Sequence, residues 1–123
     1  MKAAIDWTIH MVTNDEKAAR AVLARVEKEL DVPLEIQKVQ RYWKYEREHE
    51  AFARSSLSSE IATEATCAYA FLRLLGKLTT SWTISPPIEI PTEVTIDAIG
   101  GKSSFCVSGV TFVHATLKIE RPA

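Results

Sequence analysis

The sequence predicts an α+β fold: a ferredoxin-like sandwich with two helices packed on one face of a mainly antiparallel sheet, plus an extra C-terminal β-hairpin. Three observations predict it. A strand-like run built on Trp-Thr-Ile occurs twice, at Trp7-Thr8-Ile9 and Trp82-Thr83-Ile84, each beside an amphipathic helix pattern. The order strand, helix, strand recurs in the two halves, with roughly two further strands to follow. The chain has 123 residues, 46% of them hydrophobic and 25% charged, which suits one packed core and excludes the low-hydrophobicity, high-charge signature of disorder. Residues 1–123 are therefore read as a single α+β domain.

The first strand is set by Ile5, Trp7, Ile9 and Met11 alternating with Asp6, Thr8 and His10, a period of two that buries one face. Thr13, with Glu16 three residues later, forms a capping-box pattern that opens the first helix. Ala18, Ala19, Val22, Leu23, Val26 and Leu30 give that helix one apolar stripe, Glu16 and Arg20 are spaced to pair on its wet side, and Asp31-Val32-Pro33 ends it. From Leu34 to Tyr45 the chain reads as a long strand whose apolar phase slips. Leu34 and Ile36 share one parity and Val39, Trp43 and Tyr45 the other, which predicts a bulge near Gln37 and Lys38. Glu46-Arg47-Glu48-His49-Glu50 reads as the hairpin turn, and Ala51 to Leu57 as the returning strand.

Ser58 or Ser59 is the expected cap of the second helix, whose stripe Ile61, Ala65, Ala68, Leu72 and Leu75 is expected to face the sheet, with Gly76 as a left-handed end. Thr80, Trp82 and Ile84 follow on one face of a strand that Pro86-Pro87 halts. Val94 to Ile99 and Val110 to Ile119 read as two more strands around a loop that includes the turn Gly100-Gly101, with Gly109 relieving a tight approach. One sheet face then lacks a helical cover.

Charge and composition exclude several function classes. Fifteen basic against sixteen acidic residues leave a net charge of -1, so no long-range field draws the chain to nucleic acid or an anionic membrane. Asp6 and His10 interrupt what would be the apolar part of a signal peptide, and Arg73 breaks the longest apolar helical run, Cys67 to Leu75. A cytoplasmic location is expected. Cys67 and Cys106 stand alone, which suggests buried free thiols rather than a disulfide framework or a zinc site.

Nothing spells out catalysis. His10, His49 and His114 are isolated, without spacing that presents two nitrogens to one metal, so neither a metal nor another cofactor is expected. Gly100-Gly101 lacks a following Lys-Ser/Thr and a helix start, and Ser55, Ser56, Ser58, Ser59, Ser103, Ser104 and Ser108 lie in no nucleophile-elbow context. The chain is therefore read as a non-enzyme.

The tract from Arg41 to Glu50 is the most unusual surface. Tyr42, Trp43 and Tyr45 are interleaved with Arg41, Lys44, Glu46, Arg47, Glu48 and Glu50, the residue types from which protein-protein hot spots are built. Trp43, Tyr45, Glu46, Arg47, Glu48 and Glu50 are the candidate partner-binding residues. A twisted hairpin with alternate aromatics in the core accounts for the same pattern.

A short α+β domain opening on Ile5-Asp6-Trp7-Thr8-Ile9, a capped helix, a long hairpin bearing Tyr42-Trp43 and a closing strand at Gly109-Val110-Thr111-Phe112 resembles the small immunity proteins of bacterial polymorphic toxin systems, including contact-dependent growth inhibition. The resemblance implies a cytosolic non-enzyme that binds a cognate toxin domain and occludes its active site. If that toxin is a nuclease, its basic channel is expected to receive Glu46, Glu48 and Glu50. Two alternatives come from other classes. A small-ligand enzyme or sensor would draw polar groups from His10, Asp97 and His114 on the open sheet face. A self-associating subunit would cover that face with its own copy.

Overall fold

The computed structural model describes residues 2–57, 63–101 and 105–121. Two helices and seven strands follow one another as β1 (Ala3–Val12), α1 (Glu16–Leu30), β2 (Glu35–Arg41), β3 (Glu48–Ser56), α2 (Glu64–Leu78), β4 (Thr83–Ile84), β5 (Ile88–Ile90), β6 (Glu93–Gly101) and β7 (Val110–Glu120). The strands form one sheet in the order β2-β3-β1-β7-β6-β4, with β5 also pairing β6, and every pairing is antiparallel.

The alternation in β1 places Ile5, Trp7, Ile9 and Met11 in the core, as the period of two requires. Cross-strand partners share a face, so Ala51 and Ala53 of β3 and Val113, Ala115, Leu117 and Ile119 of β7 join them. The helices cover this face with Ala19, Val22, Leu23, Val26 and Leu30 of α1 and Cys67, Phe71, Leu74, Leu75 and Leu78 of α2, all in one apolar cluster. The small Ala53 and Ala115 are the cross-strand partners of the large Trp7, a pairing of sizes that suits close packing.

Several local expectations hold. Helix α1 buries its expected stripe apart from the half-exposed Ala18, carries the Glu16–Arg20 pair at 3.1 Å, and ends at Asp31, whose φ of 57° is left-handed. The bulge in β2 falls between Ile36 and Lys38, where the register shifts against β3. Gly109 is needed for its backbone and not for a tight approach: its φ of +97° is a conformation that only glycine adopts without strain, while a Cβ there would meet Val22 at an ordinary 3.4 Å.

Others are corrected. The N-cap of α1 is Asp15, whose carboxylate accepts from the Ala18 N–H at 2.7 Å; Thr13 instead hydrogen-bonds His49. The expected caps Ser58 and Ser59, and Ile61, lie outside the described residues. Thr63 caps α2 in a reciprocal box with Thr66. The helix starts later than expected, and the face carrying Phe71, Leu74 and Leu78 buries more apolar volume than the one carrying Ala65, Ala68 and Leu72, so the former turns inward. Of the expected stripe Leu75 is buried as foreseen, but Ala65 is exposed, Ala68 half-buried and Leu72 47% exposed, and α2 runs through Gly76 to Leu78.

The Trp-Thr-Ile runs are not equivalent. Trp7 is a core strand residue, whereas Trp82 precedes β4 and donates its indole N–H to the carbonyls of Leu75 and Thr79, both at 2.9 Å, which ties it to the end of α2, where the Leu75 carbonyl also accepts from the Thr79 N–H. Gly100-Gly101 belongs to β6 and not to a turn. A Cβ on Gly100 would stand 3.1 Å from the Trp82 ring and 3.3 Å from Phe105, so glycine serves a close approach. Strand β5, unforeseen because Ile88–Ile90 is only three residues long and wedged between prolines, pairs the outer edge of β6. Cys67 is buried, and burial pushes its thiol above the usual cysteine range. Cys106 is exposed, contrary to expectation, and its S–H donates to the Lys77 carbonyl at 2.9 Å.

Candidate partner-binding site

The hairpin between β2 and β3 turns earlier than its sequence suggests. Glu48 and Glu50 belong to β3, and the connection is the stretch 42–47. Two bonds explain the shift: the Tyr42 N–H donates to the Glu48 carbonyl at 2.8 Å, and the Thr13 N–H donates to the Arg47 carbonyl at 3.0 Å. His49, in the middle of a tract that reads as polar, is 3% exposed and is held by the hydroxyl and the carbonyl of Thr13. That buried anchor fixes the base of the hairpin against the entry to α1.

Beyond the anchor the loop is an aromatic platform. Trp43 is 86% exposed and Tyr45 52% exposed, while Tyr42 is half-buried between them, its ring 6.0 Å from Trp43 and 5.8 Å from Tyr45. Trp43 and Tyr45 thus lie outside the core, and the core-aromatic account of this hairpin does not hold for them. Tyr42 in turn rests on His10, with ring centroids 4.5 Å apart, and Phe112 flanks His10 at 5.1 Å. Within the loop the Arg41 guanidinium donates to the Glu46 carbonyl, and the Lys44 ammonium lies 5.7 Å over the Tyr45 ring, in cation–π range.

The open sheet face supports this platform from below. Gln40, Glu50, His10 and Phe112 form one cross-strand row. The Glu50 carboxylate contacts His10 Nε2 at 2.8 Å through one oxygen and accepts from the Gln40 amide at 2.9 Å through the other. Glu48 accepts from the Thr111 hydroxyl at 3.1 Å. Two of the three candidate glutamates are therefore engaged on the sheet, and only Glu46 stands on the loop with Arg47. Among the described residues neither of those two side chains has a hydrogen-bond or ionic partner. Sequence reasoning left His10 and Tyr42 out of the candidate residues, because a ring contact between positions 32 apart leaves no local signal.

A second polar cluster lies two strands over. Asp97 accepts from the Thr116 hydroxyl at 2.6 Å and contacts His114 Nε2 at 2.9 Å, so two of the three residues considered for a small-ligand site meet, while His10 pairs elsewhere. Asp6 is bridged by Arg54 at 2.9 Å and by Lys118 at 3.3 Å. The Thr116 hydroxyl, then His114, hold the Asp97 carboxyl below its ordinary 3.8, and Arg54, then Lys118, do the same for Asp6. A carboxyl lowered by folding contributes stability that is complete above its unfolded value and is lost as pH falls through the folded one. Melting temperature will therefore drop steadily below about pH 4, and Asp97→Asn, which keeps an acceptor for Thr116, will reduce that slope. An unchanged acid slope in the variant would remove Asp97 from the account.

Concavities also lie apart from the loop. One of about 420 Å³ at the far end of the open face is lined by Lys2, Arg54, Ser56, Lys118, Glu93 and Glu120. A groove of about 310 Å³ between α2 and β6 is lined chiefly by Ala65, Ala68, Pro87, Val94, Ile96 and Ile119. Among the described residues no three His, Cys, Asp or Glu side chains are grouped to hold a metal ion, and no helix is long and apolar enough to cross a membrane. No protein-family model, curated protein or solved structure matches this chain.

Proposed function

We propose that this chain is a protein-binding module of the immunity type: a non-enzymatic, cytoplasmic bacterial protein that neutralises a cognate toxin domain, as in contact-dependent growth inhibition, by covering its active site. The observation that carries the reading is Trp43. A tryptophan 86% exposed at the tip of a loop gains nothing from folding, yet the loop is braced by Tyr42 on His10 and by the buried His49–Thr13 anchor. A large rigid ring held in water on a fixed support is the form of an interface anchor, since it enters a partner's pocket with little ordering cost. The strand order β2-β3-β1-β7, with α1 and α2 as the two crossovers, supports a ferredoxin-like plan in which β4, β5 and β6 extend the outer edge. That plan leaves the loop projecting from an edge of the sheet, clear of both helices.

The test is to express each protein domain encoded next to this gene in cells with and without the chain, and to find one that kills only cells lacking it. Cells carrying the chain survive. Trp43→Ala will weaken toxin binding by at least about thirtyfold, the loss typical of a hot-spot aromatic, with an unchanged melting temperature. Full protection by Trp43→Ala would remove the loop from the contact, and death of cells carrying the unaltered chain would remove the immunity reading.

A further inference from the structure

We infer that the surface gripped by this loop is an acidic patch on a partner protein. The inference rests on the reading of the loop as the contact, and it reverses the expectation that Glu46, Glu48 and Glu50 enter a basic channel. With Glu48 bonded to Thr111 and Glu50 held by His10 and Gln40, both on β3, the exposed surface here is the loop 42–47 together with Arg41, the last residue of β2. It carries three cations against the single carboxylate of Glu46, a surplus of two positive charges on a chain whose net charge is -1. Arg41, Lys44 and Arg47 are all exposed. The Arg41 guanidinium is used by the Glu46 carbonyl and the Lys44 ammonium by the Tyr45 ring, and neither contact neutralises charge. Arg47 has no side-chain partner among the described residues.

Cations interleaved with aromatic rings also suit single-stranded nucleic acid. A nucleic-acid strand, however, needs a basic track beyond the stacking platform, and the sheet directly beside this loop offers Glu48 and Glu50 instead. A compact acidic patch on a folded partner meets only the loop and avoids those carboxylates. Opposite charge then speeds encounter and makes it salt-sensitive, while Trp43 slows release.

The probes are immobilised poly-L-glutamate, poly-L-lysine and oligothymidylate, each offered the full chain at low and at high salt. The chain is expected to bind polyglutamate at low salt, to leave it at high salt, and to ignore polylysine. Lys44→Glu/Arg47→Glu is expected to weaken binding to polyglutamate at least about tenfold, and Lys44→Gln/Arg47→Gln by an intermediate factor. Lys17→Glu/Lys28→Glu on α1, with the same change in net charge, is expected to bind as the unaltered chain does. Binding to polylysine in place of polyglutamate, or an equal loss in the α1 variant, overturns the inference. Tighter binding to oligothymidylate that Trp43→Ala abolishes overturns it in favour of nucleic acid. Retention on polyglutamate without protection from the toxin defeats only the immunity reading. Protection that depends on Trp43 without retention on polyglutamate defeats only the charge.

Discussion

Replacing Phe71 by alanine will cost about 3–5 kcal/mol of unfolding free energy, whereas Leu72→Ala, one position along the same helix, will cost under about 0.5 kcal/mol. Phe71 is fully buried in the apolar core, so truncation removes its transfer free energy and leaves a cavity that its close-packed neighbours refill only in part. Leu72 is 47% exposed on the opposite flank and loses little that water does not already touch. Ile9→Ala, at the centre of β1, belongs with Phe71 and will cost about 2–5 kcal/mol. Urea melts with unchanged slopes would establish the ranking. A larger loss at Leu72 than at Phe71 would mean that α2 is rotated about its axis.

The contrast within α2 marks what the sequence made legible. In β1 only one parity is apolar, so periodicity leaves a single solution and the inward set is read correctly. The phase slip after Ile36 has likewise one cheap remedy, an extra residue, and the bulge is found where the slip occurs. Helix α2 is apolar on two flanks, Cys67-Phe71-Leu74-Leu78 and Ala65-Ala68-Leu72, and periodicity alone does not choose between them. The choice comes from the surface α2 packs on, since the flank carrying Phe71, Leu74 and Leu78 buries the larger apolar volume there. Gly100-Gly101 reads as a turn by composition, yet its reason is the Trp82 ring, which arrives from outside the strand.

The candidate site was legible as composition and not as geometry. The aromatic and charged residues are in the tract where they were sought, but which of them project depends on the hairpin turn, and the turn is fixed by contacts that local sequence does not reveal. The Thr13–Arg47 backbone bond and the burial of His49 link the hairpin to the start of α1, and together they draw Glu48 and Glu50 into a strand. No window of a few residues carries that information.

The placement of Glu50 gives the second large effect. Glu50→Lys will destabilise the fold by roughly 2–4 kcal/mol, because it replaces a carboxylate that satisfies two half-buried donors with a cation that satisfies neither. The Glu50 side chain is only 15% exposed and His10 only 13%, so water does not make good the loss. His10 then loses the contact that orients its ring, and the ring is the floor under Tyr42. The damage should therefore spread outward, loosening the loop on which Trp43 stands, even though Glu50 itself does not project. Glu46→Lys, on the exposed loop, will change stability by under about 0.5 kcal/mol. A reversal of Glu46, Glu48 and Glu50 together would confuse lost contact with lost fold, whereas the two single reversals separate them. Chemical denaturation of both, with proteolysis at the loop as a second readout, decides the matter. Equal stability of Glu50→Lys and the unaltered chain would show that the His10–Glu50 contact carries no weight and that the platform stands without it.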